Sequence, residues 1–313
     1  MKSNSSPGIA PKTGVGEGAP FNVENFERMG VTRAWREYDG VLTWGKGQCL
    51  AILDDGCDIT QPQWQVEMPW GRKVAATWNS IDGNEDCAHV PPGYHGTTVG
   101  NPSSYLCEGL RGVAYNNHVA HVRAVTVVHL KQDESASLAA ALQWVIDRRE
   151  ELNITAVNLS PADDQSHREP VPTAIDEKLE RLRELGIWVS APCGNNHFTD
   201  GICWPACQPA CFAIGATRPE RREVYLNRWS NVDLVVPAAA TSSSNAYAAA
   251  CSMILREAVE TSGYDWRAHA NTLPGALMAL FQETGTPVHD LETGFDFREM
   301  NLYAAVKRVM GGQ

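Results

Sequence analysis

Cys49-Leu50-Ala51-Ile52-Leu53-Asp54-Asp55-Gly56 is an apolar run that ends in two carboxylates and a glycine. A short run with no polar residue at alternate positions is a strand covered on both faces. Asp-Asp-Gly then breaks it into a turn. A strand buried on both sides needs helices on both sides, and the chain outward from it supplies them. Apolar runs at 74–78, 119–128, 154–159, 187–191, 211–214 and 234–236 read as further strands. Between them, Leu138, Leu142, Val145 and Ile146 share one helical face, as do Ile175, Leu179 and Leu182, with Gly186 as a stop. The small-residue run 246–255 reads as a buried helix and 302–309 as a closing one. The expected fold is α/β: a doubly wound, mostly parallel sheet with helices on both faces.

The chain has 313 residues, enough for one large domain. Residues 1–25 begin rich in Gly, Pro, Ser and Lys and read as a flexible tail, leaving 26–313 as a single domain. The net charge of −11 argues against nucleic acid or an anionic membrane as partner. No apolar run of about 18 residues is present, so no transmembrane helix is expected. The first eight residues, Met1 to Gly8, lack the apolar core of a signal peptide. The chain is therefore expected in the cytoplasm if it is full length, and outside the cell if a leader has been removed. Nine cysteines cannot all pair within one chain, and in a domain of this size they are expected mostly as buried thiols. The oligomeric state is not fixed by the sequence.

Three further segments carry chemistry. Tyr94-His95-Gly96-Thr97-Thr98-Val99 places a histidine at the start of a small-residue helix, and Ala240-Thr241-Ser242-Ser243-Ser244-Asn245-Ala246 does the same for a serine. A serine hydroxyl is a weak nucleophile until a base takes its proton. His95 is the candidate base, and Asp54 the carboxylate that holds its tautomer and stabilises the imidazolium. An acid at the carboxyl end of a strand sits at the rim where parallel α/β sheets bind ligands. Ser242 opens a helix, so its N–H is free and the helix dipole favours a developing oxyanion. Cys193-Gly194-Asn195-Asn196 supplies a side-chain amide, Asn195, as the second oxyanion donor. Taken singly these segments are ordinary turns and helix caps; their order, Asp…His…Ser, is what joins them.

These segments resemble the subtilisin-like serine peptidases, the subtilase family. Leu53-Asp54-Asp55-Gly56 is similar to the family's Asp-Ser/Thr-Gly motif, His95-Gly96-Thr97-Thr98-Val99 to its His-Gly-Thr-x-Val, Cys193-Gly194-Asn195 to its Ala-Gly-Asn, and Ala240-Thr241-Ser242-Ser243-Ser244-Asn245-Ala246 to its Gly-Thr-Ser-x-Ala-x-Pro. Weaker echoes lie at Gly112-Val113-Ala114, Val157-Asn158-Leu159-Ser160 and Ala213-Ile214-Gly215-Ala216. The resemblance implies endopeptidase activity through an acyl-enzyme, with a peptide or protein substrate. It also implies that Ser160, Pro161 and Ala162, with Gly194, shape the pocket for the residue before the scissile bond. Departures are Ala240 for Gly, Ala246 for Pro, and only four residues between Pro237 and Ser242. Ser243 is the alternative nucleophile register. Asp-Asp-Gly is similar to the form in kexin/furin-type convertases, whose acidic pocket segment Asp163 and Asp164 resemble; a basic side chain there would gain a charge-assisted hydrogen bond.

No cofactor is required by this chemistry. Asp82-Gly83-Asn84-Glu85-Asp86 is a candidate calcium loop of the kind subtilases carry, without the full ligand ladder. Cys203, Cys207 and Cys211, with His197 nearby, have spacings unlike structural zinc sites and are read as buried or loop thiols, so no metal site is assigned. Two other functions fit the same residues: a catalytically silent peptide-binding protein, and a transpeptidase that passes its acyl group to an amine.

Overall fold

The computed structural model describes residues 21–91 and 93–311. Helices α1 (Glu24–Arg28) and α2 (Val31–Glu37) precede β1 (Cys49–Asp54). The hairpin β2 (Glu67–Met68) and β3 (Gly71–Arg72) leads into β4 (Val74–Asn79), then helices α3 (His95–Val99) and α4 (Asn101–Ser104). A second hairpin, β5 (Leu106–Cys107) and β6 (Leu110–Arg111), precedes β7 (His118–Arg123). The chain continues through α5 (Ser135–Leu152), β8 (Ile154–Leu159), α6 (Asp176–Glu184), β9 (Trp188–Pro192), β10 (Phe212–Thr217) and β11 (Leu234–Pro237). It closes with α7 (Thr241–Ser262), α8 (Leu273–Thr284), β12 (Thr286–His289), β13 (Asp296–Glu299) and α9 (Leu302–Met310).

Nine strands form one sheet in the order β12-β13-β11-β10-β9-β8-β1-β7-β4. Every pairing in it is parallel except β12 with β13. All six residues of β1 are buried, and their side chains alternate between two cores. Leu50 and Ile52 join Trp188, Ile214 and the α7–α9 side. Cys49, Ala51 and Leu53 join Leu138, Leu142, Leu179 and Leu182 from α5 and α6. The doubly wound expectation is met. β1 lies between β7 and β8, so the chain builds outward from it in both directions. That is a switch point, the place where parallel α/β sheets bind ligands at the carboxyl ends of their strands.

Three readings needed adjustment. The strand expected over 119–128 ends at Arg123, because Ala124 N and Val125 N turn to bond the carbonyl of Asp54 at 2.8 and 3.3 Å. The helix expected over 246–255 runs for 22 residues and stops at Gly263, which has φ 66°. Ala246, Ala248, Ala249 and Ala250 let it lie close against the strands, and all are buried. Residues 1–20 of the expected tail lie outside the described residues, whereas within 21–25 Phe21 and Asn25 are buried. Phe21 is buried with ring centroids 5.5 Å from Phe26 and 5.8 Å from Tyr105.

Candidate active site

Asp54 is the last residue of β1 and is 1% exposed. Its Oδ1 and Oδ2 lie 3.0 and 2.9 Å from Nδ1 of His95, the first residue of α3. Burial works to raise the Asp54 pKa, but the charge of His95 and the hydrogen bonds from its ring and from Asp55 N hold it below the ordinary value. For His95, burial disfavours the imidazolium, yet Asp54, helped by the charge of Asp55, raises it above 6.5. Nδ1 of His95 is committed to Asp54, which leaves Nε2 as the nitrogen that could serve as a base.

The approach is close. A Cβ at Gly96 would sit 2.2 Å from the carbonyl of Gly56 and 2.8 Å from Cβ of Asp54, so this position needs glycine. Asp55, 2% exposed, anchors the same turn: its Oδ1 accepts from Gly96 N at 2.9 Å and its Oδ2 from His95 N at 3.3 Å. Sequence reading gave Asp55 no such task. A second buried imidazole, His121 on β7, packs edge-on to Trp64 at 4.6 Å. Burial pushes it down to about 3, so it stays neutral beside Asp54.

Asn195 follows β9 on a loop that needs glycine at residue 194. Gly194 has φ 104°, and a Cβ there would meet Asn227 Nδ2 at 2.3 Å and Cys203 Sγ at 2.4 Å. The Asn195 Oδ1 accepts from Thr241 N at 2.9 Å and from the Thr241 hydroxyl at 3.0 Å. The first orphan N–H of α7 is thus capped from another segment, since Ala240 at the N-cap has no side-chain oxygen. With Oδ1 so occupied, Nδ2 of Asn195 is the end left to donate. Asn227 braces the loop, accepting from Asn196 N at 2.8 Å and Phe198 N at 3.0 Å and donating to Cys193 O at 3.0 Å. It lies too far along the chain for spacing to have revealed it.

Ser242 and Ser243 are half-buried at the start of α7, whereas Ser244 turns into the core and donates to Val236 O at 3.1 Å. Helix α3 packs against α7, so His95 and Ser242 open two neighbouring helices. Among the described residues neither Ser242 nor Ser243 is hydrogen-bonded to His95. The fixed part of the arrangement is Asp54–His95 on one side and Asn195–Thr241 on the other.

Ser160, Pro161 and Ala162 are buried at the end of β8. Ser160 N donates to Leu53 O at 3.2 Å, and its hydroxyl accepts from Asn158 Nδ2 at 3.0 Å. Asn245 of α7 reaches under this wall, donating to Asn158 Oδ1 at 2.6 Å and Ser190 O at 3.0 Å. Asp163 braces its own loop: Oδ1 accepts from Trp204 N and Gln165 N, both at 3.1 Å, and Oδ2 lies 2.6 Å from His167 Nε2. Asp164 faces His129 at 3.2 Å. Both carboxylates therefore have imidazole partners within the chain.

In the acidic stretch 82–86, Asp82 Oδ2 accepts from Asn79, and Asn84 and Asp86 accept from Asp86 N and Ala88 N. These oxygens brace their own turn. Cys203 makes its contacts with Asn227 and Asn196, and His197 turns away to Tyr225 O at 2.7 Å. Among the described residues, no group of three or more His, Cys, Asp or Glu side chains is placed to hold a metal ion.

An acid-held histidine and an amide-capped, serine-bearing helix lie at the carboxyl edge of a doubly wound sheet. The comparisons place the chain in a family. Residues 45–269 match the model of the subtilase family, and the chain belongs to that family. It is 25% identical over 197 residues to subtilisin-like protease 3 of Trichophyton equinum, a match covering 62% of this chain and 44% of that protein. It is 27% identical over 209 residues to subtilisin-like protease 12 of Arthroderma gypseum, covering 64% and 47%. The match thus spans less than half the length of these relatives.

Proposed function

We propose that the chain is a serine endopeptidase acting on peptide or protein substrates, with Ser242 as nucleophile. The observation that carries this reading is the Asp54–His95 pair, at 2.9 Å, with His95 on a helix that packs against the one capped by Asn195. In this reading His95 Nε2 takes the Ser242 proton as Oγ attacks the scissile carbonyl. The tetrahedral oxyanion is held by Ser242 N, an uncapped helix N–H, and by Asn195 Nδ2. His95 then protonates the departing amine, and water releases the acyl group by the reverse path. Ser160, Pro161, Ala162 and Gly194 wall the pocket for the residue before the scissile bond. Because Asp163 and Asp164 already face histidines, a basic residue there would compete with His167 and His129.

One observation favours a silent, peptide-binding reading: the Ser242 hydroxyl has no hydrogen bond to His95 among the described residues. Catalytic contacts often tighten only with substrate bound, so the active reading stands ahead of it. The test is intact-mass labelling with a fluorophosphonate on wild type, Ser242→Ala and Ser243→Ala. One adduct, lost only in Ser242→Ala, is the expected result. Folded wild-type protein that takes no adduct would give the lead to the binding reading. An added amine acceptor then separates hydrolysis from transpeptidation by product mass.

A further inference from the structure

Two cysteines lie side by side next to the Asp54–His95 pair without taking part in it. Cys57 lies three residues after Asp54, and Cys87 eight before His95. Cys57 N donates to Cys87 O at 2.8 Å, and Cys87 Sγ lies 3.9 Å from Cys57 O. The two segments pack main chain to main chain: a Cβ at Gly56 would come within 2.7 Å of the His89 backbone and 2.8 Å of Cys87 O. A disulfide spans Cα atoms about 4.4–6.8 Å apart, and the hydrogen bond from Cys57 N to Cys87 O holds the two main chains side by side. Both thiols also line a cavity of about 250 Å³ together with Asp58, Glu85, Asp86 and His89. Asp86 and Ala88 on its rim are exposed, while Cys57 and Cys87 are 2% and 3% exposed, so the oxidant reaches them through local opening of this exposed segment.

We propose that Cys57 and Cys87 form a redox-active pair that closes to a disulfide. The bond would be a covalent clasp between the segment leaving Asp54 and the segment entering His95. The oxidant is a small-molecule disulfide of the glutathione class. One cysteine thiolate attacks a sulfur of the oxidant and expels one glutathione thiolate. The second cysteine, deprotonated, attacks the protein sulfur of the mixed disulfide and expels the other. Two electrons pass from the cysteines to the oxidant, and the two S–H protons end on the two glutathione thiols. Burial, then Asp86, raises the Cys87 thiol to about 11, and burial raises Cys57 further still. Cys87 is therefore the entry point, and closure quickens as pH rises.

The test needs no peptidase activity, so its failure is separate from failure of the hydrolytic reading. The folded chain is incubated with oxidised glutathione in mildly alkaline buffer, and then its intact mass, free thiols and peptide map are read. Expected are loss of two hydrogens, a fall from nine free thiols to seven (9 − 2), and a cross-linked peptide holding Cys57 and Cys87. Dithiothreitol is expected to reverse all three, and Cys57→Ser and Cys87→Ser to lose no hydrogens. Nine thiols retained under conditions that oxidise free dithiothreitol would overturn the proposal. So would a cross-link mapped to other cysteines.

Discussion

Asp55 and His95 are joined through the main chain, not through the ring: Asp55 Oδ2 accepts His95 N at 3.3 Å while Asp54 holds the imidazole. The two adjacent carboxylates therefore divide the work of placing one imidazole. Asp55 also sends its charge to the same ring, and that charge helps to raise the His95 pKa. For Asp55→Asn the acid limb of kcat/KM is expected to move to lower pH, while the plateau falls less than tenfold. A pH–rate profile checks it, and an unmoved limb with a lower plateau would assign Asp55 to architecture alone.

Asp54→Asn is expected to cost about four orders of magnitude in kcat, the scale at which loss of the carboxylate spoils the histidine tautomer. Stability follows a separate rule. The Asp54 pKa is lowered, so its contribution is full above 3.8 and fades as pH falls through the folded value. The His95 pKa is raised, so its contribution is full below 6.5 and fades as pH rises through the folded value. The margin of wild type over the variant is therefore expected to be widest between these values, read as a thermal midpoint across pH.

For Asn195→Ala, kcat is expected to drop roughly 100- to 1,000-fold, as loss of such a donor does in subtilisin itself. The variant also uncaps α7, at about 1 kcal/mol in denaturant unfolding. A rise in KM with kcat intact would place Asn195 outside the oxyanion hole.

Gly96→Ala is expected to destabilise by about 3 kcal/mol, the upper range for overpacking, because the added carbon meets the Gly56 carbonyl at 2.2 Å. Fluorophosphonate labelling should fall with it, since the clash displaces His95 from Asp54.

Lys73 is fully buried, and its Nζ donates to Tyr115 O and Asn117 O, both at 2.8 Å. Burial pushes its pKa down from 10.5 to about 7. Between those values the unfolded chain binds more protons, so this group makes stability rise with pH. Lys73→Met is expected to cost about 1–3 kcal/mol through the bared carbonyls. The gap to wild type should widen from neutral to alkaline pH in urea titrations.

The sequence made β1 and its terminal Asp54 legible because six buried residues followed by a turn leave little other choice. α7 was half legible: its alanines marked a buried helix, while Arg256, Glu257 and Glu260 hid the next turns. α8, β12 and β13 went unread. β12 is an edge strand with Pro287 in it, and among the described residues its only partner is the next short strand, β13, antiparallel to it. In the site, spacing brought out Asp54, His95 and Asn195. The bracing by Asn227, the backbone clamp by Asp55 and the pairing of Asp163 with His167 depend on side-chain direction. No one-dimensional pattern records that.

The cap on α7 links two events that a contact inventory keeps apart. An amide is one conjugated dipole, so negative charge arriving at Asn195 Nδ2 pushes electron density toward Oδ1. Oδ1 then becomes a stronger acceptor for Thr241, through bonds of 2.9 and 3.0 Å. In the proposed reaction, charge developing beside Asn195 would thus tighten the first turn of the helix that carries Ser242. Amide hydrogen exchange at Thr241 should slow when a tetrahedral adduct forms, with no change of shape elsewhere.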